Sequence, residues 1–162
     1  KLLAQRFNRA LPRLATDSGV QLLQVTDFTA DTAMMLAERV ERGELIAIAG
    51  DRVPVRESRV TYAPFLGEDA PFPCGPYILA SVLECPLYFM GCVHDGAGCA
   101  VEFVRLAERV LLPRARREQA LAEYAGLFAQ QLERMLRKAP YDWFNFFPFW
   151  DQGAPGRPTT TA

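Results

Sequence analysis

Lysine and histidine are almost missing from this chain: lysine stands only at positions 1 and 138, and histidine only at 94. Positive charge is carried by arginine, whose planar guanidinium forks onto phosphate and carboxylate groups where an ammonium acts as a point charge. The formal net charge of -1 at pH 7 excludes a general attraction to nucleic acid or to an acidic bilayer, so any anion binding must be local. A long apolar run is missing too. Tyr77 to Val93 is nearly apolar, but Glu84 and Pro86 divide it into a short helix and a short strand, which reads as protein core and not as a membrane span. The four cysteines, Cys74, Cys85, Cys92 and Cys99, lack the paired spacing of a zinc ribbon, and the sequence shows no secretory signal. Buried cytosolic thiols are expected, with no metal site. There is no internal repeat.

With 162 residues, 50% of them hydrophobic, the chain is long enough to bury one core, and a single domain over 1–150 followed by a flexible tail at 151–162 is expected. The periods alternate. Leu3, Phe7, Ala10, Leu11 and Leu14 recur at helical spacing up to Gly19, and Val20 to Val25 reads as a strand. Thr29 is placed to cap a helix carrying Ala33, Leu36, Ala37 and Val40 on one face, with Gly43 as its stop. Leu45 to Ala49 reads as a buried strand, and Arg59 to Phe65 as another. A loop from Gly67 to Pro76 leads into a helix ending near Leu83. Pro86 to Val93 and Ala100 to Leu106 read as a hairpin, and Arg116 to Arg137 as a long helix with Leu121, Tyr124, Ala125, Phe128, Leu132 and Met135 on one stripe. The early strand, helix, strand order predicts parallel neighbours joined by a right-handed crossover. The expected class is α/β, with a mixed, mainly parallel sheet flanked by helices.

Four segments carry chemistry. Gly50-Asp51-Arg52 follows the expected strand, so Arg52 would reach a phosphate, a carboxylate or a polarised carbonyl at the carboxyl edge, with Asp51 beside it, or else form a structural ion pair there. Phe72-Pro73-Cys74-Gly75-Pro76 opens a helix, and its free backbone N–H groups would face an anion, or the Gly-Pro turn would only start the helix. The block Tyr141 to Trp150 holds seven aromatic residues. Trp143, Phe144, Phe147 and Trp150 would contact a membrane or an acyl chain, or the block would cap the core. Arg105, Arg109, Arg114, Arg116 and Arg117 form the densest basic segment, either a surface for anionic lipid or an acidic carrier protein or a solvated connection. Cys92 and His94 share a strand face, but no third group in the sequence orients the imidazole.

The order of G-D-R, then Phe65-Leu66-Gly67, then F-P-x-G-P opening a helix, then an aromatic terminus, resembles the bacterial acyltransferases of the lipid A biosynthesis type, within the lysophospholipid acyltransferase superfamily. The resemblance runs from about Val20 to Trp150. It implies transfer of a fatty acyl group from an acyl carrier protein or coenzyme A thioester to a hydroxyl of a lipid precursor, by a peripheral protein at the cytoplasmic face of the inner membrane, with no bound cofactor. It also implies a catalytic histidine followed five positions later by Asp or Glu, upstream of G-D-R. No histidine stands there, and His94 is followed five positions later by Cys99. The chain is therefore expected to be the carboxyl-terminal part of an acyltransferase, contributing Arg52, Asp51, Gly75, Cys74 and Phe72 to substrate binding but inactive alone. In glycerol-phosphate acyltransferases the loop reads F-P-E-G-T-R. Cys74 and Pro76 depart from it, which favours a lipid A-like or other amphiphilic acceptor. A non-catalytic lipid- or partner-binding module on the same scaffold is the alternative, and an acyltransferase of a specialised pathway is a third reading.

Overall fold

The computed structural model describes residues 29–53, 59–96, 98–143, 145–146 and 148–151. By its internal contacts the chain forms two units, Lys1–Thr32 and Ala33–Ala162, and the account below concerns the second together with the start of its first helix at 29–32. The expected helix from Leu3, the strand Val20 to Val25 and the tail after Asp151 lie outside the described residues.

Helix α1 (Ala30–Glu41) starts and stops where its capping residues require. The Thr29 hydroxyl accepts the Thr32 N–H at 3.3 Å, and Gly43 turns the chain away with φ 81, a conformation that costs glycine little. Leu45 to Ala49 forms no strand. Leu45 is 86% exposed and Ile48 53%, which corrects the expectation of a buried strand. An apolar run fixes a preference for burial but supplies no neighbour, and a buried strand needs ladder partners on its edges.

The sheet is also not the parallel one expected. The described strands form two separate antiparallel pairs. In the first, β1 (Val60–Phe65) turns directly into β2 (Glu68–Pro73). The loop expected from Gly67 is thus half strand, because its prolines mislead. Phe65 pairs with Glu68 across a two-residue turn, and Pro64, Pro71 and Pro73 face Asp69, Tyr62 and Val60. Counting from the closing pair, these are the non-hydrogen-bonded positions, where a missing N–H costs no ladder bond.

Helix α2 (Gly75–Val82) follows, and the second hairpin joins β3 (Leu87–His94) to β4 (Cys99–Ala107), as the sequence predicts. A 3-10 turn at Arg114–Arg116 leads into α3 (Arg117–Lys138), and a second 3-10 turn closes the described chain at Phe149–Asp151. The α3 stripe packs on β1, β3 and β4, burying Leu121, Ala125, Ala129, Leu132 and Met135. Two antiparallel hairpins packed on one long helix make a mixed α/β fold, with an aromatic centre of Phe65, Phe72, Phe89 and Phe149.

Gly91 lies against α3 so closely that an added Cβ would overlap the Met135 thioether and come within 2.9 Å of the Phe89 ring. Gly91→Ala is expected to cost about 1 kcal/mol, the low end for overpacking, because the flexible Met135 end can move while the Phe89 ring must also shift. Urea denaturation would show this as a lowered midpoint at unchanged slope.

Candidate functional site

Gly50-Asp51-Arg52 sits on the aromatic centre, although no strand delivers it. Gly50 is buried, and a Cβ there would come within 2.7 Å of the Phe128 ring. Only glycine lets the backbone approach α3 this closely. Asp51, half-buried, accepts a hydrogen bond from the Trp143 indole at 3.0 Å. Trp143 in turn lies edge-on to Phe65 at 5.4 Å and to Phe149 at 5.0 Å. Two segments 92 residues apart are thereby tied together, and Trp143 is turned inward. Arg52, next in the chain, is exposed. Of the other aromatic residues expected at a membrane, Trp150 is 38% exposed, and Phe144 and Phe147 lie outside the described residues.

The F-P-C-G-P loop shares the same core. Phe72 packs against Phe128, Phe65 and Phe149 and is wholly buried, as is Cys74, while Gly75 is exposed with open space around it. Phe72 and Cys74 therefore shape the loop from beneath, and Gly75 is its accessible point. Cys74 occupies the N-cap of α2 without a side-chain cap. The Cys74 N–H is taken by the Arg59 carbonyl at 2.9 Å, but Gly75 and Tyr77 keep first-turn donors that α2 cannot satisfy itself.

Two arginines bring charge to this helix start. Burial pushes the Cys74 thiol up from its ordinary value, and the guanidinium charges of Arg59 and Arg117 oppose that shift. Arg117 Nε is buried without a hydrogen-bond partner among the described residues, as is the hydroxyl of Tyr77. Burial also pushes the Tyr77 hydroxyl up, with Cys74 adding to the effect, so it remains a donor. Buried donors of this kind are rare and call for an acceptor. The arrangement suits an anionic group or a developing oxyanion. Sequence reading missed Tyr77 as a polar element, because its position on an apolar helix gives no signal. Arg59 was only a strand start, and Arg117 only one member of a basic segment.

That segment is less free than its sequence implies. Arg105 is paired with Glu108 and Arg109 with Glu84. Arg116 instead lines a cleft of about 200 Å³ with Leu111, Pro113, Glu123 and Tyr124, and Tyr124 stacks on Tyr77 with ring centroids 6.2 Å apart.

The third group missing beside His94 is supplied by tertiary structure. One Asp142 oxygen accepts the His94 backbone N–H at 2.6 Å, and the other lies 3.1 Å from Nδ1. The Cys92 thiol is nevertheless pushed up from its ordinary value, by desolvation and then by a hydrogen bond with Cys99. Cys92 and Cys99 are exposed and Cys85 is half-buried, so only Cys74 is the buried thiol expected. Among the described residues no three His, Cys, Asp or Glu side chains are grouped to hold a metal ion.

Asp142 is held below the ordinary carboxylate value, chiefly by the His94 N–H and then by its ring. A folded-state value below the unfolded one means that the stabilisation is complete above about pH 4 and is lost as pH falls through the folded value. In Asp142→Asn the acid limb of stability below about pH 4 should be shallower than in the wild type, measured by urea midpoints across that range.

The candidate site is thus the start of α2, anchored on an aromatic core, with the charges of Arg59 and Arg117 felt at Cys74. The family model described as bacterial lipid A biosynthesis acyltransferase matches residues 6–152, and the chain belongs to that family. No curated protein and no solved structure matches it. No described helix is long and apolar enough to cross a membrane.

Proposed function

We propose that this chain binds and positions substrates for transfer of a fatty acyl group from an acyl carrier protein or coenzyme A thioester to a hydroxyl of a lipid A-like or other membrane lipid precursor. Family membership supports the reaction class. The observation that supports this site is the accessible Gly75 at the start of α2, on a loop whose Phe72 and Cys74 are anchored in the aromatic core, with the charges of Arg59 and Arg117 felt at Cys74.

In this reading the acceptor hydroxyl loses its proton to a histidine upstream of G-D-R, on sequence preceding this portion of the acyltransferase domain. The oxygen attacks the thioester carbonyl, the carbon–sulfur bond breaks, and the thiolate takes up the proton. Arg52 and the Gly75 loop hold negative charge on the reacting groups. Peripheral contact with the cytoplasmic face of the inner membrane would bring the lipid acceptor to the site.

The test is acyl transfer by the full-length gene product from labelled acyl carrier protein and coenzyme A thioesters to a membrane lipid extract. A labelled lipid is the expected result. A folded protein that yields none with either donor would sink the enzyme reading in favour of a binding module. Arg117→Ala is expected to raise KM more than it lowers kcat if that guanidinium binds an anionic part of the substrate in ground and transition states alike.

A further inference from the structure

The turn between β1 and β2 holds a bulky apolar residue where the backbone asks for glycine. Leu66 has φ 54 and Gly67 φ 93, so both central residues of this two-residue turn are left-handed, a type I′ geometry that favours Asn, Asp or Gly. Glu84, the other described non-glycine residue with positive φ, follows the end of α2, where helices commonly place such a residue. Leu66 has no such account. Its side chain is 49% exposed, so it contributes little to the core in return for the strain. The Glu133 carboxylate holds the strained residue by accepting its N–H.

The surroundings extend this tip. Tyr62, Pro64 and Leu66 alternate along the outer side of β1 and are all exposed, Tyr62 by 50%. Trp150, 38% exposed, stacks on Phe65 with centroids 6.0 Å apart, at the same end of the hairpin. A stable protein interface takes roughly 800 Å² and 20–30 residues per partner, and a two-residue turn with a few flanking side chains is not such a face. A bilayer asks for no matching shape, and aliphatic and indole side chains partition into it one by one. The charged residues tied to the tip include Glu68 and Asp69 on β2 and Glu133, which Arg137 faces at 3.8 Å. This acidic excess fits neutral headgroups and repels anionic ones.

We propose that the β1–β2 tip, with Leu66 at its apex and Trp150 beside it, inserts into the interface of a zwitterionic lipid bilayer. The proposal deepens the peripheral contact invoked above and names the edge that makes it. It also separates that contact from the arginine segment.

Co-sedimentation of the full-length gene product with phosphatidylcholine vesicles tests it, comparing wild type with Leu66→Gly. Glycine removes the apolar apex while relieving the backbone, so the variant should melt no lower than wild type. Its vesicle affinity should fall by about tenfold. Wild type should bind phosphatidylcholine vesicles more tightly than phosphatidylglycerol vesicles at low salt. Unchanged binding of Leu66→Gly overturns the proposal, as does wild-type binding confined to anionic vesicles. Acyl transfer to detergent-dispersed acceptor separates the two readings. A variant that transfers in detergent but leaves the vesicles supports the tip, and so does a chain that binds vesicles through Leu66 yet transfers nothing, which would sink only the acyl-transfer reading.

Discussion

Phe65→Ala is expected to lower the unfolding free energy by about 3–5 kcal/mol, the upper range for truncating a buried aromatic ring. Phe65 has 0% exposure and meets the rings of Phe72, Trp143, Phe149 and Trp150. Its removal leaves a cavity that those rings cannot fill together, because β1, β2 and the terminal segment each fix one wall. The loss should exceed that of Phe89→Ala, whose ring has Phe128 as its aromatic contact. It should also spread, releasing Trp143 from Asp51 and loosening G-D-R. Urea denaturation gives the stability change, and indole fluorescence at low urea reports whether Trp143 has left its place. Equal costs for the two phenylalanines would show that the core is not organised around Phe65.

Arg52→Ala is expected to lower acyl transfer by the full-length gene product by about a hundredfold, the scale of losing an electrostatic contact made in the transition state. Arg52 is exposed, so its truncation removes no buried side chain, and any fall in melting temperature should be no more than a surface contact is worth. Lysine keeps the charge but not the fork, so Arg52→Lys should recover only part of the activity if bidentate geometry matters. An equal loss of melting temperature and activity in Arg52→Ala would assign Arg52 to the fold and not to the substrate.

The elements legible in the sequence are those whose signals are local. Thr29 and Gly43 bracket α1, the α3 stripe packs as its period requires, and the His94 to Gly98 turn joins β3 to β4. The parallel sheet was inferred from Leu45 to Ala49, where apolarity was read as burial. That step needed a neighbouring strand the segment does not itself encode. Proline likewise pointed away from β2, since its penalty depends on which side of the strand faces a partner.

For the site, the motifs G-D-R and F-P-C-G-P were visible as words, and the family they belong to followed from their order. Their surroundings were not. Asp51 and Trp143, His94 and Asp142, and Leu66 and Glu133 are pairs distant in sequence, and no periodicity relates their positions. The sequence by itself determined the family, the helices and hairpins, and the supply of arginine and aromatic rings, because composition, capping and short-range period act between near neighbours. Only the tertiary structure decided that Trp143 turns inward to Asp51, that Asp142 reaches His94, and that Leu66 stands at an exposed apex. Burial and electrostatic partnership depend on which distant surfaces the packed chain brings together.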